Sequence, residues 1–312
     1  MNSVYRDIKA LLSNSGMEEG EARAVTLLLM EKAAGLSPTD ALTNAPQAEE
    51  HRPALLQLAE RVAQGEPVQY VLGEADFCGM TLKVAPGVLI PRPETEELVK
   101  WVVEEVRTLS PQSSPNNPSN RNTPTTLLDI GTGSGCIAIA LAHLLPHAHV
   151  EAWDISEDAL RIAHENAQRQ GVNITFRQVD VMGNPDSPEI PDFPEIPDFP
   201  EIPGNPVPPF SLLISNPPYI CQEEAQEMEP HVLAHEPGIA LFVPNDDPLR
   251  FYRRIGELGR QGLLAPGGLL FFEVNRRFGH EVVSLLQQMG YHEVELRKDI
   301  FGNDRMVKAI NT

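Results

Sequence analysis

Thr125-Thr-Leu-Leu-Asp-Ile-Gly-Thr-Gly-Ser-Gly-Cys-Ile-Ala-Ile-Ala-Leu-Ala142 decides the fold. Its first six residues are an apolar run, closing on Asp129 and Ile130, that reads as a buried strand. Gly131-Thr-Gly-Ser-Gly135 is a turn, and Cys136 to Ala142 begins a helix. Strand, glycine turn, helix is the opening of a nucleotide-binding α/β sheet, whose ligands sit beyond the carboxyl ends of the strands. Glycines let backbone approach a ligand closely, and a helix N-terminus favours a carboxylate or phosphate. The spacing is Gly-x-Gly-x-Gly, short of the Gly-x-Gly-x-x-Gly of dinucleotide enzymes. That departure favours adenosylmethionine over a pyrophosphate cofactor, with NAD as the competitor. Gly131, Thr132, Gly133, Ser134 and Gly135 are the residues expected to hold it.

The chain that follows extends the same sheet. His149-Val-Glu-Ala-Trp-Asp154 is a second strand, and its terminal acid is placed for ribose hydroxyls. Ser156 can cap the helix that carries Ala159, Leu160, Ala163 and Ala167. A third strand, Ile174 to Asp180, would bring Asp180 and Val181 near the adenine of a cofactor. Phe210-Ser-Leu-Leu-Ile214 is another short buried strand, and Ser215-Asn-Pro-Pro-Tyr219 follows it directly. Two prolines cannot continue a strand, so a stiff loop starts where the strand stops. The Asn216 side-chain oxygen and the carbonyls of Pro217 and Pro218 are acceptors, and the Tyr219 ring offers a flat face. Acceptors fixed at one point suit a planar –NH2 on an sp² carbon; a bare proline turn closing a strand is the plainer alternative. Further on, Leu249 to Leu264 reads as a helix, Gly267 to Glu273 as a turn and strand, and Val282 to Met289 as a helix. Tyr291 to Leu296 and Met306 to Ile310 read as a terminal antiparallel pair.

Upstream, residues 1 to about 65 read as short helices. Val4, Ile8, Leu11 and Leu12 share one helical face, Ala24, Leu27, Leu28 and Glu31 a second, and Leu55, Leu58, Ala59 and Val62 a third. Gly16, Gly35, Pro38 and Pro53 punctuate them. Met80 to Val84 alternates as a half-buried strand does, which predicts a hairpin. Pro91-Arg-Pro-Glu-Thr-Glu96 then leads into a helix with Leu98, Val99, Val102, Val103 and Val106 on one stripe, and Arg92, Glu94, Thr95 and Glu96 are candidates for a wall of the site. The expected division is a helical domain over 1–66, a hairpin linker over 67–92 and an α/β domain over 93–312. Residues 110–124 read as a polar connection, and 183–209, where Pro-Glu-Ile-Pro-Asp-Phe recurs, as a surface insertion.

A net charge of −20 argues against tight binding to a phosphate backbone, which needs clustered Lys and Arg. Three widely spaced cysteines, Cys78, Cys136 and Cys221, make no disulfide framework and suit a reducing compartment. His231 and His235, and the group His143, His147 and His149, lack the carboxylate or thiolate company of a metal site, so no metal is expected. Without a leader-like start or an apolar run near 18 residues, the expectation is a cytoplasmic enzyme that neither binds nucleic acid directly nor enters a membrane.

Taken together, these motifs resemble those of the PrmC/HemK family, the release factor glutamine N5-methyltransferases. The resemblance rests on Gly65-x-Pro-x-Gln-Tyr70, Leu89-Ile-Pro-Arg-Pro-Glu-Thr-Glu96, Asp129 to Gly135, Asn216 to Tyr219, and Lys298-Asp299 with Gly302 and Asp304-Arg305. It implies a Rossmann-like class I methyltransferase sheet with a small N-terminal helical domain that docks the release factor. Adenosylmethionine is the implied donor, and the glutamine of a release factor's Gly-Gly-Gln motif the implied acceptor, for a monomeric enzyme. Asn216, Pro217 and Tyr219 would be catalytic; those three and Pro218 would bind substrate. The glycine turn, Asp154, Asp180, Val181 and Asn216 would line the cofactor. Adenine N6-methylation of nucleic acid is the alternative, because adenine N6 is also an sp²-bound amine; a silent binding module is a third reading.

Overall fold

The computed structural model describes residues 2–43, 47–109, 125–183, 209–228 and 230–312. The polar connection at 110–124 and all of the proline-rich insertion except Gly183 and Pro209 lie outside the described residues. The helices in chain order are α1 (Ser3–Asn14), α2 (Glu19–Ala34), α3 (Pro38–Leu42), α4 (Gln47–Ala63), α5 (Val68–Leu72) and α6 (Pro93–Leu109). After them come α7 (Cys136–Leu144), α8 (Glu157–Gln170), α9 (Pro230–His235), α10 (Gly238–Leu241), α11 (Arg250–Leu258) and α12 (Gly279–Gln288). The strands are β1 (Glu74–Phe77), β2 (Met80–Lys83), β3 (Thr126–Ile130), β4 (His149–Asp154), β5 (Thr175–Gln178) and β6 (Phe210–Ser215). β7 (Ile220–Cys221), β8 (Phe242–Val243), β9 (Leu264–Glu273), β10 (His292–Lys298) and β11 (Asp304–Ile310) complete them. The chain divides into two compact units, one of Met1–Ala75, Val84–Pro86 and Glu227–Glu236, the other holding the rest.

The first unit is helical. Val4, Ile8 and Leu12 of α1 pack with Leu29, Leu55 and Ala59 in one core. The second helix turns a different face inward from the one its spacing suggested. Ala22, Val25, Thr26, Leu29 and Met30 are buried, whereas Ala24 and Glu31 are exposed. Val25-Thr-Leu-Leu-Leu-Met30 is close to apolar all round, so periodicity alone could not choose its face. Thr26 is tolerated inside because its hydroxyl donates to the Ala22 carbonyl at 2.6 Å. Pro53 lies within α4 instead of ending it. The buried face of Ala48, Leu55, Ala59 and Val62 outweighs the one N–H that a proline removes.

The second unit is an α/β sandwich around a seven-stranded sheet of order β10-β11-β9-β6-β3-β4-β5. β4, β3, β6 and β9 run parallel, and β11 is antiparallel to both of its neighbours. The terminal antiparallel pair is thus as expected. Consecutive residues feed opposite faces, as the two-residue period of a strand requires. Leu127, Leu212 and Phe271 join the core under α6 and α7, while Leu128, Leu213 and Phe272 join that under α11 and α12. Trp101 of α6 meets Phe271 edge-on at 5.3 Å between centroids. The hairpin residues Phe77, Met80 and Leu82 belong to the same face. Two elements differ in extent from expectation: the helix from Arg250 gives way after Leu258 to a short, wide π-helical stretch over Gly259–Leu263, and β9 starts at Leu264. Gly262, at φ 109°, breaks the helix, and a bulge between Leu264 and Leu269 delays regular pairing with β6. Among the described residues no helix is long and apolar enough to cross a membrane.

Because Phe271 is fully buried between the sheet and Trp101, truncating it leaves an unfilled cavity. Phe271→Ala is expected to destabilise the protein by about 3–5 kcal/mol in chemical denaturation. A loss below about 1 kcal/mol would show that this face is not the core described.

Candidate active site

Register places four loops abreast. Ile130 of β3 pairs with Trp153 of β4 and with Ser215 of β6, and Ser215 pairs with Phe272 of β9. The next residue on each strand is therefore Asp154, Gly131, Asn216 or Glu273, one level across four neighbouring strands. Adjacent strands are about 4.8 Å apart, so the glycine turn and the Asn-Pro-Pro-Tyr loop leave the sheet side by side.

The glycine turn is tied to β4. Gly131 and Thr132 donate backbone N–H groups to the Trp153 carbonyl at 2.8 and 2.9 Å, and Gly133 donates to Asp154 Oδ2 at 2.8 Å. Ser156 N–H takes the other Asp154 oxygen at 2.9 Å, and Ser156 Oγ caps α8 as expected. The glycines do different work. A Cβ on Gly131 or Gly133 would meet nothing within 4 Å, so that side of the turn is open. A Cβ on Gly135 would lie 3.0 Å from Ala163 Cβ, so Gly135 lets α7 and α8 close together. Asn166, fully buried on α8, donates to the Ser134 carbonyl and the Lys83 carbonyl, both at 2.9 Å, and accepts from Lys83 N–H at 2.6 Å. It joins the turn to the hairpin, a part for a mid-helix asparagine that spacing did not reveal.

Burial raises the carboxyls of both acids near the turn, Asp129 within β3 and Asp154 at the end of β4. Burial raises the Asp154 carboxyl against the N–H groups of Ser156, Gly133 and Ile155. Asp129 accepts at Oδ2 from Thr132 Oγ1 at 2.7 Å and from Ala138 N–H at 3.3 Å, and its Oδ1 is buried without a partner. An open glycine turn flanked by two acids fits adenosylmethionine, which carries a sulfonium and an ammonium beside its carboxylate. Asp180 is exposed and accepts from Met182 N–H at 2.9 Å, while Val181 packs on the core and its carbonyl accepts from Arg254 Nε at 2.8 Å. Val179 N–H donates to the Asp154 carbonyl at 2.9 Å, which keeps this pair of residues at the Asp154 end of the sheet.

The reactive loop is fixed at every residue that carries a polar handle. Ser215 Oγ donates to the Ile130 carbonyl at 2.6 Å, which locks β6 to β3 just before the loop. Asn216 Nδ2 donates to Thr95 Oγ1 at 3.2 Å, and Thr95 Oγ1 donates to Glu273 Oε2 at 2.7 Å. The Tyr219 hydroxyl donates to Glu273 Oε1 at 3.1 Å, and the Tyr219 carbonyl accepts from Asn275 Nδ2 at 3.1 Å. Pro217 is buried, while Asn216, Pro218 and Tyr219 are half-buried. Glu273 is 1% exposed; burial raises its carboxyl, and Thr95, the Arg305 charge and Tyr219 oppose the rise. Arg305 is itself braced by Asp299 at 3.3 Å, and Asp299 also accepts from Asn303 N–H at 2.8 Å. Burial, and after it the Glu273 charge, pushes the Tyr219 phenol far above its ordinary value, so it stays protonated and is no base.

Thr95 stood among the candidate wall residues; Glu273 and Asn275 did not. The signal that could have found Glu273 is a lone acid ending the apolar run Leu269-Leu-Phe-Phe-Glu273, the same pattern that marks Asp129 and Asp154. Asp129 has a second consequence. Burial, with the Asp154 charge adding to it, pushes its carboxyl from 3.8 up to about 7 against the bonds from Thr132 and Ala138. The native state then holds a proton that the unfolded chain releases near pH 4. The resulting stabilisation is complete below about pH 4 and lost as pH rises through about 7. Asp129→Asn is expected to flatten the fall in denaturation stability across that window; an unaltered slope would assign the dependence to another group.

Residues 3–73 match the PrmC N-terminal domain, and residues 122–189 a methyltransferase domain. The release factor glutamine methyltransferase of Bacteroides thetaiotaomicron is 47% identical over 249 residues, covering 80% of this chain and 77% of that one. Its counterpart from Flavobacterium psychrophilum is 42% identical over 255 residues, covering 82% and 78%. Among solved structures, the catalytic domain of hMettl16 in complex with an RNA hairpin has the same fold at a TM-score of 0.52 and 15% identity, covering 82% of this chain and 81% of that one. The sheet is that of the class I adenosylmethionine-dependent methyltransferases. With its strand ends so aligned and relatives of that name up to 47% identical across most of its length, the chain belongs to the release factor glutamine methyltransferase family.

Proposed function

We propose that this protein transfers a methyl group from adenosylmethionine to the side-chain N5 of the glutamine in the Gly-Gly-Gln motif of a peptide chain release factor. The observation that carries this reading is Asn216. Its Nδ2 is bonded to Thr95, and its Oδ1 has no partner among the described residues. When bound, adenosylmethionine supplies a methyl group on a sulfonium, an electrophile that departs from a neutral thioether. The Gly131–Gly135 turn would hold its methionine end, Asp154 the ribose, and Asp180 and Val181 the adenine side.

The chain's own task is orientation. A carboxamide nitrogen is a poor nucleophile, because its lone pair is delocalised into the carbonyl. Asn216 Oδ1 and the Pro217 carbonyl accept the two N–H groups of the substrate amide, and Tyr219 covers its plane. Gripped so, the nitrogen is held in the one direction that suits transfer. No base is needed beforehand, since methylation makes the nitrogen acidic and its proton leaves to water. The Tyr219 phenol, kept protonated by burial and Glu273, is in keeping with that.

The helical domain over 1–66 is the proposed docking module for the release factor, and the enzyme is proposed to act as a cytoplasmic monomer without direct contact to nucleic acid. A net charge of −20 favours a protein substrate over a phosphate backbone. Mass spectrometry of a release factor incubated with enzyme and cofactor is expected to find a single added methyl on the Gly-Gly-Gln glutamine; methylated adenine in DNA or RNA with an unmodified release factor would overturn the assignment. Asn216→Ala should lower kcat by at least about 100-fold with cofactor affinity largely kept, and near-normal turnover would remove Asn216 from the mechanism. Asp154→Ala should weaken adenosylmethionine binding in calorimetry, whereas unchanged affinity would exclude it from the ribose.

A further inference from the structure

The two ends of the Asn216 carboxamide are nearly equal in size and opposite in hydrogen-bond character. Only Oδ1 can accept from a substrate N–H. A half-turn about the last side-chain bond would present Nδ2 instead, donor against donor. Something must choose between the two.

The hydroxyl of Thr95 has one proton, and it is committed to Glu273 Oε2 at 2.7 Å. A hydroxyl whose proton is spent can only accept, and what it accepts from is Asn216 Nδ2 at 3.2 Å. Glu273 cannot swing away to release Thr95: it is 1% exposed, and its second oxygen accepts from the Tyr219 hydroxyl at 3.1 Å. Burial raises its carboxyl on balance, against the Thr95 and Tyr219 hydroxyls and the Arg305 charge, and each of its oxygens already accepts one hydroxyl proton, so toward Thr95 it serves as the acceptor. Hydrogen-bond polarity therefore runs one way, from Asn216 through Thr95 to Glu273. These residues come from the loop directly after β6, the first turn of α6 and the end of β9, and are 121 and 178 positions apart in sequence.

We propose that Thr95 and Glu273 are positioning residues whose fixed hydrogen-bond polarity keeps Asn216 Nδ2 inward and Oδ1 toward the substrate amide. This rests on the reading that Asn216 accepts from that amide. Glu273 sets the direction, and Thr95 transmits it. The same carboxylate holds the Tyr219 ring, so one buried acid governs both the grip on the substrate nitrogen and the cover over it.

The test is Thr95→Val, which keeps the branched shape and loses the hydroxyl, assayed on a full-length release factor. Its kcat is expected to fall roughly 10- to 100-fold, with adenosylmethionine affinity in calorimetry unchanged, which also verifies the fold. Thr95→Ser, which retains the hydroxyl, is expected to restore kcat. In an Asn216→Ala background, followed with radiolabelled cofactor, Thr95→Val is expected to cost nothing further, because no amide remains to orient. An equal loss in both backgrounds, or wild-type kcat in Thr95→Val, would overturn the relay. Near-normal turnover in Asn216→Ala alone would overturn the reading of Asn216 beneath it; a loss there with none in Thr95→Val would sink the relay only.

Discussion

Parallel register across β4, β3, β6 and β9 is the constraint from which the site follows. Each strand ends at the same level, so four loops with unrelated sequences open side by side. The Ser215 hydroxyl on the Ile130 carbonyl closes this arrangement at its centre, where a slip of one residue would exchange the two faces of β6. Such a slip would send Leu212 and Ile214 to the side now filled by Leu213, and both cores would object. The hydrophobic pattern of the sheet thereby fixes the spacing between the glycine turn and the Asn-Pro-Pro-Tyr loop, which are far apart in sequence.

A buried carboxylate normally weakens a fold, because taking it from water costs several kcal/mol. Glu273 is retained with each oxygen bonded and the charge of Arg305 near, and Arg305 is in turn braced by Asp299. A network of this kind gains little stability over an apolar filling but leaves its members few alternative arrangements. For a reaction whose obstacle is the aim of a weak nucleophile, that restriction is what matters. The Asp299–Asn303–Arg305 turn belongs to the same economy, since it supplies the cation from a separate part of the chain.

Most of the sheet was legible in the sequence. The glycine turn, the acid ending β4, the Ser156 cap and the terminal antiparallel pair each announce themselves through local chemistry, with a period or a turn residue to mark them. The face of α2 was not legible, because Val25 to Met30 is apolar all round and only tertiary packing selects among its stripes. Pro53 misled for the opposite reason: a local breaker was overruled by burial on both sides of it. Within the site, the residues proposed to touch a ligand carry motifs, but their supports do not. Glu273, Asn275 and Asn166 act through partners 32 to 178 positions away, and no spacing rule connects them to the loops they hold. Thr95 could be seen at a helix entrance, yet its bond to Asn216 follows only once α6 is laid on the sheet.

The paired prolines of the reactive loop have one more effect. Neither Pro217 nor Pro218 has a backbone N–H, and the Asn216 amide nitrogen donates to Thr95. The rim so formed is rich in oxygen lone pairs and poor in protons to give. A glutamate side chain has the dimensions of glutamine but brings only lone pairs and a negative charge of its own. If the loop grips the substrate amide as proposed, glutamate would meet repulsion there in place of the two bonds proposed for glutamine, and a substrate deamidated at that position would be refused before any methyl was spent on it.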